Sequence, residues 1–167
     1  MAVRTLRLFP DPVLLQPCAL VDLNDAGLPG LISDLTDTLA ASPGVGLAAP
    51  QIGVGKQVSV IDVSKLKRKP SVPNHGFVLV LNAEILKGEG EQIPREGCLS
   101  VPDLLANVKR FERVTVRIQT LDGSFCVIEA QGFEALAFQH ELDHLQGRLY
   151  LDRVTNIKTD IFRRKSY

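Results

Sequence analysis

The 167-residue chain has no tryptophan, one methionine, two tyrosines, three histidines and three cysteines. An odd number of cysteines speaks against a closed disulfide framework and suits a reducing compartment. No apolar run approaches the roughly 20 residues that span a bilayer. Prolines at 10, 12 and 17 interrupt the N-terminal stretch, so neither a membrane span nor a secretory signal is read. Excess charge is also missing. Nineteen basic and 19 acidic residues give a formal net charge of +0, without the basic bias that nucleic acid or an anionic membrane selects. With no repeat, low-complexity tract or domain boundary, the expectation is one soluble domain spanning 1–167. The chain is long enough for a proper core. The cytoplasm is the expected compartment, with an organelle left open.

What is present has clear periodicity. Leu28, Leu31, Ile32, Leu35 and Leu39 recur at helical spacing, with Pro29 near the start and Ser42-Pro43-Gly44 after the end, predicting an amphipathic helix. The stretches 57–63 and 77–85 are rich in β-branched residues and read as strands. Two further strands, 114–120 and 125–130, flank Asp122-Gly123, a pair that marks a hairpin. A second long helix is expected from about Gly132 to Leu145. The fold class is therefore α+β: mostly antiparallel sheets packed around a central helix, with an N-terminal amphipathic helix as the second. Cys18 and Cys126 lie among apolar residues and read as buried filler, while the polar stretch 65–76 around His75 reads as a surface loop.

The second helix carries His140-Glu141-Leu142-Asp143-His144. Histidines four residues apart share a helix face and can reach one metal ion. Phe133, Leu136 and Ala137 fall on that face too. A histidine on an apolar face is usually a satisfied core residue. Two of them beside a carboxylate, however, cost several kcal/mol if left unpartnered, at about 1–3 kcal/mol per group, and a metal removes that penalty. Glu141 lies about 100° around the helix, placed to act as general base on metal-activated water without ligating. Asp143 faces away, and Arg110 is a candidate partner for it.

A catalytic site of this kind usually takes three protein ligands, and the third is not adjacent. The metzincin pattern would place it at Tyr150, and downstream of His144 the only carboxylates are Asp152 and Asp160. Cys98 is the best candidate, since a thiolate binds zinc or ferrous iron well. Judged alone, it would pass for a small buried cysteine in a turn. Copper electron transfer usually adds an axial methionine, and the only one here is Met1. The Gly- and Ala-rich stretch 42–55 has one polar side chain in its apolar part, Gln51. It lacks the P-loop ending and the dinucleotide glycine spacing. Two readings stand level: close backbone approach to a substrate with the Gln51 amide as donor, or a tight turn in which Gln51 caps backbone groups.

Gly44-Val45-Gly46-Leu47-Ala48-Ala49-Pro50-Gln51, Glu96 to Ser100 and His140 to His144, in that order and at these separations, together resemble the three signature motifs of the peptide deformylase family. The resemblance covers essentially the whole chain. It implies hydrolytic removal of formyl from the N-terminal formyl-methionine of nascent polypeptides, with release of formate. It implies one divalent metal held by Cys98, His140 and His144, most often Fe²⁺, with Zn²⁺, Ni²⁺ or Co²⁺ as substitutes. Glu141 becomes the acid/base, while the Gln51 amide and the Leu99 N–H bind the formyl oxygen. Gly44, Val45, Gly46, Glu96, Gly97 and Leu136 are expected to line the substrate site. The partners implied are N-formylmethionyl nascent peptides and, transiently, the ribosome, with no nucleic acid or membrane.

Two departures stand out. Leu105 occupies a position where family members often carry an arginine, so contacts to the peptide there are expected to differ. The tail past Gly147 is short, which puts ribosome docking through a long C-terminal helix in doubt. Two rival functions fit parts of the sequence: an HExxH endopeptidase using Asp152 or Asp160, and a non-catalytic metal- or peptide-binding domain.

Overall fold

A computed structural model describes residues 2–66 and 73–165. Helix α1 (Leu28–Ala40) begins with Pro29 in its first turn, where the missing N–H costs nothing. Strands β1 (Gly46–Ala48), β2 (Val58–Asp62) and β3 (Phe77–Glu89) follow. Then come β4 (Arg95–Cys98), β5 (Val101–Asn107), β6 (Arg113–Gln119) and β7 (Phe125–Gln131). Helix α2 (Gly132–Leu145), a one-turn helix α3 (Ile157–Asp160) and strand β8 (Ile161–Arg163) complete the order. All ladders within these sheets are antiparallel: β1-β2-β3-β6-β7 in the larger sheet and β4-β5-β8 in the smaller. This is the expected α+β class.

The register explains the layers. Val58 pairs with Leu81 and Val60 with Leu79, and these four pack with Leu28, Leu35 and Leu39 of α1. The alternate residues Ile61, Val78 and Val80 pack with Ala135, Phe138 and Leu142 of α2. The large sheet is thus covered on both faces, which is why Ser59 and Ile61 are as fully buried in β2 as Val58 and Val60. The β6–β7 hairpin forms around Asp122-Gly123, with Gly123 at φ +87°. The smaller sheet builds its own core from Val101, Ala106, Leu149 and Tyr150, and Cys98 sits in that core.

One expectation is corrected here. Cys18 is buried, but Cys126 is exposed on the edge strand β7. Alternation identified the strand without revealing which face is covered. Helix α2 is buried around nearly its whole circumference, including Glu134, Glu141 and Asp143. His75 is exposed as expected, with Nδ1 2.9 Å from Glu134 Oε2. Residues 67–72 of the anticipated surface loop lie outside the described residues. Among the described residues, no helix is long and apolar enough to cross a membrane.

Candidate metal centre

Antiparallel strand β4 ends at Cys98 directly over α2, and the Cys98, His140 and His144 ligand atoms all lie within 4.8 Å of one another. Among the described residues this is the one such group. Cys98 Sγ is 3.2 Å from His144 Nε2. Tetrahedral bonds of about 2.3 Å to sulfur and 2.0–2.1 Å to nitrogen would put those donors roughly 3.5 Å apart, so the spacing fits a divalent ion. His140 Nδ1 is 2.8 Å from Glu96 Oε2, and that hydrogen bond leaves Nε2 as the available donor. Asp152, by contrast, accepts from the Leu149 N–H at 2.7 Å, and neither it nor Asp160 belongs to the group.

The electrostatics match that donor set. Burial by itself would push the Cys98 thiol up, but the charge of His144 and hydrogen bonds from both histidines more than reverse this. The thiol is held well below its ordinary value, as a thiolate ligand requires. Burial pushes the Glu141 carboxyl up to about 7, against the opposing pull of His140 and His144. Glu141 Oε2 and His144 Nδ1 are buried without a hydrogen-bond partner in the protein. An orphaned carboxylate oxygen beside a sulfur–imidazole cluster suits a group that handles a proton.

Gln51 takes the second of its two readings, a tight turn in which it caps a backbone group. It sits in a 3-10 turn, Ala49–Ile52, and its Oε1 accepts from the Ala48 N–H at 2.9 Å. That contact turns Nε2 toward Ser100 Oγ (3.1 Å) and Cys98 Sγ (3.5 Å). Ser100, which carried no signal in the sequence beyond its place in the motif, also donates its N–H to Cys98 Sγ at 3.4 Å. A cavity of about 150 Å³ adjoins these groups, and Gly44, Val45, Gly46, Gln51, Glu96, Gly97, Leu99, Leu136 and Glu141 all line it. The Glu96 carboxylate, however, is engaged by Arg110 (2.6 and 3.0 Å) and His140. What Glu96 can offer a substrate is its main chain. Arg110 also donates to Asp143 at 2.6 Å, as the sequence suggested, and Arg153 closes on the same carboxylate.

A buried Cys-His-His donor set with an adjacent carboxylate, in an α+β shell, is the kind of centre found in metal-dependent hydrolases. The polypeptide deformylase family model matches residues 3–160. A peptide deformylase of Heliobacterium modesticaldum is 47% identical over 156 residues, covering 93% of this chain and 97% of its own length. One from Syntrophobacter fumaroxidans is 42% identical over 165 residues, 99% of this chain and 94% of its own. Among solved structures, a peptide deformylase from Legionella pneumophila superposes with a TM-score of 0.83 at 38% identity, covering 94% of this chain and 89% of that one. The Met-Ala-Ser-bound class I type b peptide deformylase from Acinetobacter baumannii gives 0.84 at 35%, covering 92% and 99%. The chain belongs to the polypeptide deformylase family, whose activity is metal-dependent removal of formyl from nascent peptides.

Proposed function

We propose that the chain, working as one catalytic unit, hydrolyses the formyl group from formyl-methionyl nascent polypeptides at a metal held by Cys98, His140 and His144. The observation that carries this reading is the meeting of those three ligands with the orphaned Glu141 Oε2 and the aimed Gln51 amide around one cavity. Ferrous iron is the ion we assign, with zinc, nickel or cobalt able to replace it, because a thiolate and two imidazoles suit all four. Bound there, the ion supplies Lewis acidity, making a water a stronger acid and polarising the formyl carbonyl.

The protein's own groups do the rest. Glu141, with its carboxyl raised to about 7 by burial, takes a proton from the attacking water and later gives it to the departing amine. The Gln51 amide and the Leu99 N–H donate to the formyl oxygen as negative charge grows on it, each such donor being worth about 10²–10³ in rate. Glu96 holds the His140 ring through Nδ1. The peptide lies extended along Gly44–Gly46 and the 94–97 segment, adding a strand, with the methionine side chain toward Val45 and Leu136. Formyl carries hydrogen where acetyl carries methyl, and a tight site near Gly46 and Leu99 selects between them by size. Met-Ala-Ser in the Acinetobacter relative is the type of product this reaction leaves, which supports the substrate class. Nascent formyl-methionyl chains are made by the ribosome in the bacterial cytosol, the compartment we assign, and in organelles.

Anaerobic formate release from formyl-Met-Ala-Ser, run beside acetyl-Met-Ala-Ser on metal-loaded protein, tests the reading. Formate from the first peptide and no acetate from the second is the expected result. No release from either, with bound metal verified by elemental analysis, would sink it.

A further inference from the structure

Helix α1 has no basic side chain in its last turn, where a cation ordinarily stabilises the free carbonyls. Lys65 supplies one from another element. It ends the 3-10 turn Val63–Lys65 that follows β2, and its Nζ donates to three main-chain oxygens: Leu39 O, Ser42 O at 3.3 Å and Gly44 O at 3.2 Å. All three ammonium protons thus have acceptors. Lys65 is exposed as a whole, yet burial lowers its pKa against the opposing pull of Asp62, so the charged head is partly withdrawn from water. The 42–44 turn restrains itself less well, with the Gly44 N–H 3.4 Å from Ser42 Oγ.

The segment held in this way leads into β1, an edge strand of the larger sheet. The Asp62 N–H donates to Val45 O at 2.7 Å, so Val45 forms a hydrogen-bonded pair with β2. Gly46, one residue on, turns its main chain to the open edge. The Ala48 N–H on that edge is already taken by Gln51 Oε1. Gly44 and Val45 line both the cavity beside the metal centre and a neighbouring one of about 420 Å³. A Cβ on residue 44 would stand 3.0 Å from Leu99 Cδ1, so Gly44 is one wall of a narrow cleft and Leu99 the other.

We propose that Lys65 is a positioning residue for the substrate peptide, fixing the 42–44 turn so that the β1 edge meets an extended chain in register. The inference rests on the deformylase reading of the adjoining centre. Lys65 lines neither cavity, so its influence on a substrate passes through Gly44. Without a Cβ, Gly44 has little conformational restraint of its own, and the lysine supplies it from outside. The formyl group and the methionine side chain are handled at the metal centre and its cavity, whereas residues beyond the first depend on the strand edge. A peptide binding to a loosened edge has to order the turn as it binds. That cost falls on the affinity for longer peptides and leaves bond breaking intact.

The test measures kcat and KM for formyl-Met-Ala-Ser amide and for formyl-Met amide in the unaltered metal-loaded protein and in Lys65→Met. KM for the longer substrate should rise about five- to tenfold, the scale of a lost hydrogen-bonded contact. Its kcat, and both constants for formyl-Met amide, should stay within about twofold. Lys65→Arg, which keeps the charge and several N–H donors, should recover part of the loss. Calorimetric binding of Met-Ala-Ser amide reads the edge without turnover and should weaken by the same factor in Lys65→Met. An unchanged KM for the longer substrate in Lys65→Met would overturn the proposal. So would an equal rise in KM for both substrates, the mark of general loosening, or a fall in kcat at unaltered KM. Weaker binding of Met-Ala-Ser amide to Lys65→Met, with no formate from either substrate in any form of the protein, would uphold the role of Lys65 and refute the hydrolytic reading.

Discussion

Gly46 and Glu141 compete for one volume. A Cβ on residue 46 would lie 2.7 Å from Glu141 Cδ and 2.8 Å from Cγ, and Glu141 is buried, so the carboxylate would have to swing out of the site. Gly46→Ala should therefore lower kcat by about 10²-fold or more, the scale of a lost general acid–base group, with metal content unchanged by elemental analysis. A near-unaltered kcat would mean that the carboxylate's position is not what catalysis needs. Glu141→Ala should behave alike, retaining metal while losing turnover; a metal-free variant would instead make Glu141 a ligand. Much of this site was legible because its chemistry sits in short motifs: the helical spacing of His140 and His144, and the lone polar Gln51 in a run of small residues. Cys98 could be ranked but not settled from residue type alone, since its pairing with α2 depends on how β4 docks.

At the scale of elements, the sequence yielded what has strong periodicity: α1, β2, β3, the β6–β7 hairpin and α2. The smaller sheet was missed because β5, with Pro102 and no apolar alternation, and the three-residue β8 lack a strand's pattern. In helix α2, Asp143 is buried against Arg110 and Arg153, and of those two partners only Arg110 was suggested by the sequence. Just past the end of α2 comes Gly147, with φ +69° and an added Cβ only 2.5 Å from Gln16 C. Gly147→Ala combines left-handed strain with a clash against main chain, so it should destabilise by more than about 1 kcal/mol. Urea denaturation measures it, and an unchanged midpoint would show that the Gln16 segment moves aside freely. The N-terminal segment is pinned to α1 by Arg4, which donates through Nε to Asp34 at 2.8 Å. The Arg4 hydrogen bond, opposed by burial, holds the Asp34 carboxyl below its usual value. A depressed folded-state pKa means that the stabilisation is complete above the unfolded value of about 3.9 and disappears as pH falls through the folded one. Asp34→Asn should thus lower Tm at neutral pH, with the gap closing in strong acid. A gap persisting near about pH 2 would assign the effect to packing instead.

Across the whole molecule, one chain of charges joins parts that share little apolar core. Arg153, in the turn after α2, meets Asp143 on the helix, and Asp143 meets Arg110 between β5 and β6. Arg110 grips Glu96 on β4, and Glu96 returns to α2 through His140. Arg110 and Glu96 have side chains only 1% and 2% exposed, so water cannot take over if one partner is lost. The smaller sheet has its own core, and this polar chain is what registers Cys98 against the two histidines. Removing Arg110 would leave two buried carboxylates facing each other's charge. Arg110→Ala should cost about 3–5 kcal/mol of stability, the scale for breaking a buried pair. It should also weaken metal binding about 10–100-fold, because Glu96 would no longer be held in place to orient His140. Chemical denaturation reads the first effect, and competition with a chromophoric chelator reads the second. The two readouts separate the roles: lost stability with unchanged metal affinity would make the network a fastener between sheet and helix only, while lost affinity in a protein of normal stability would assign Arg110 to positioning His140.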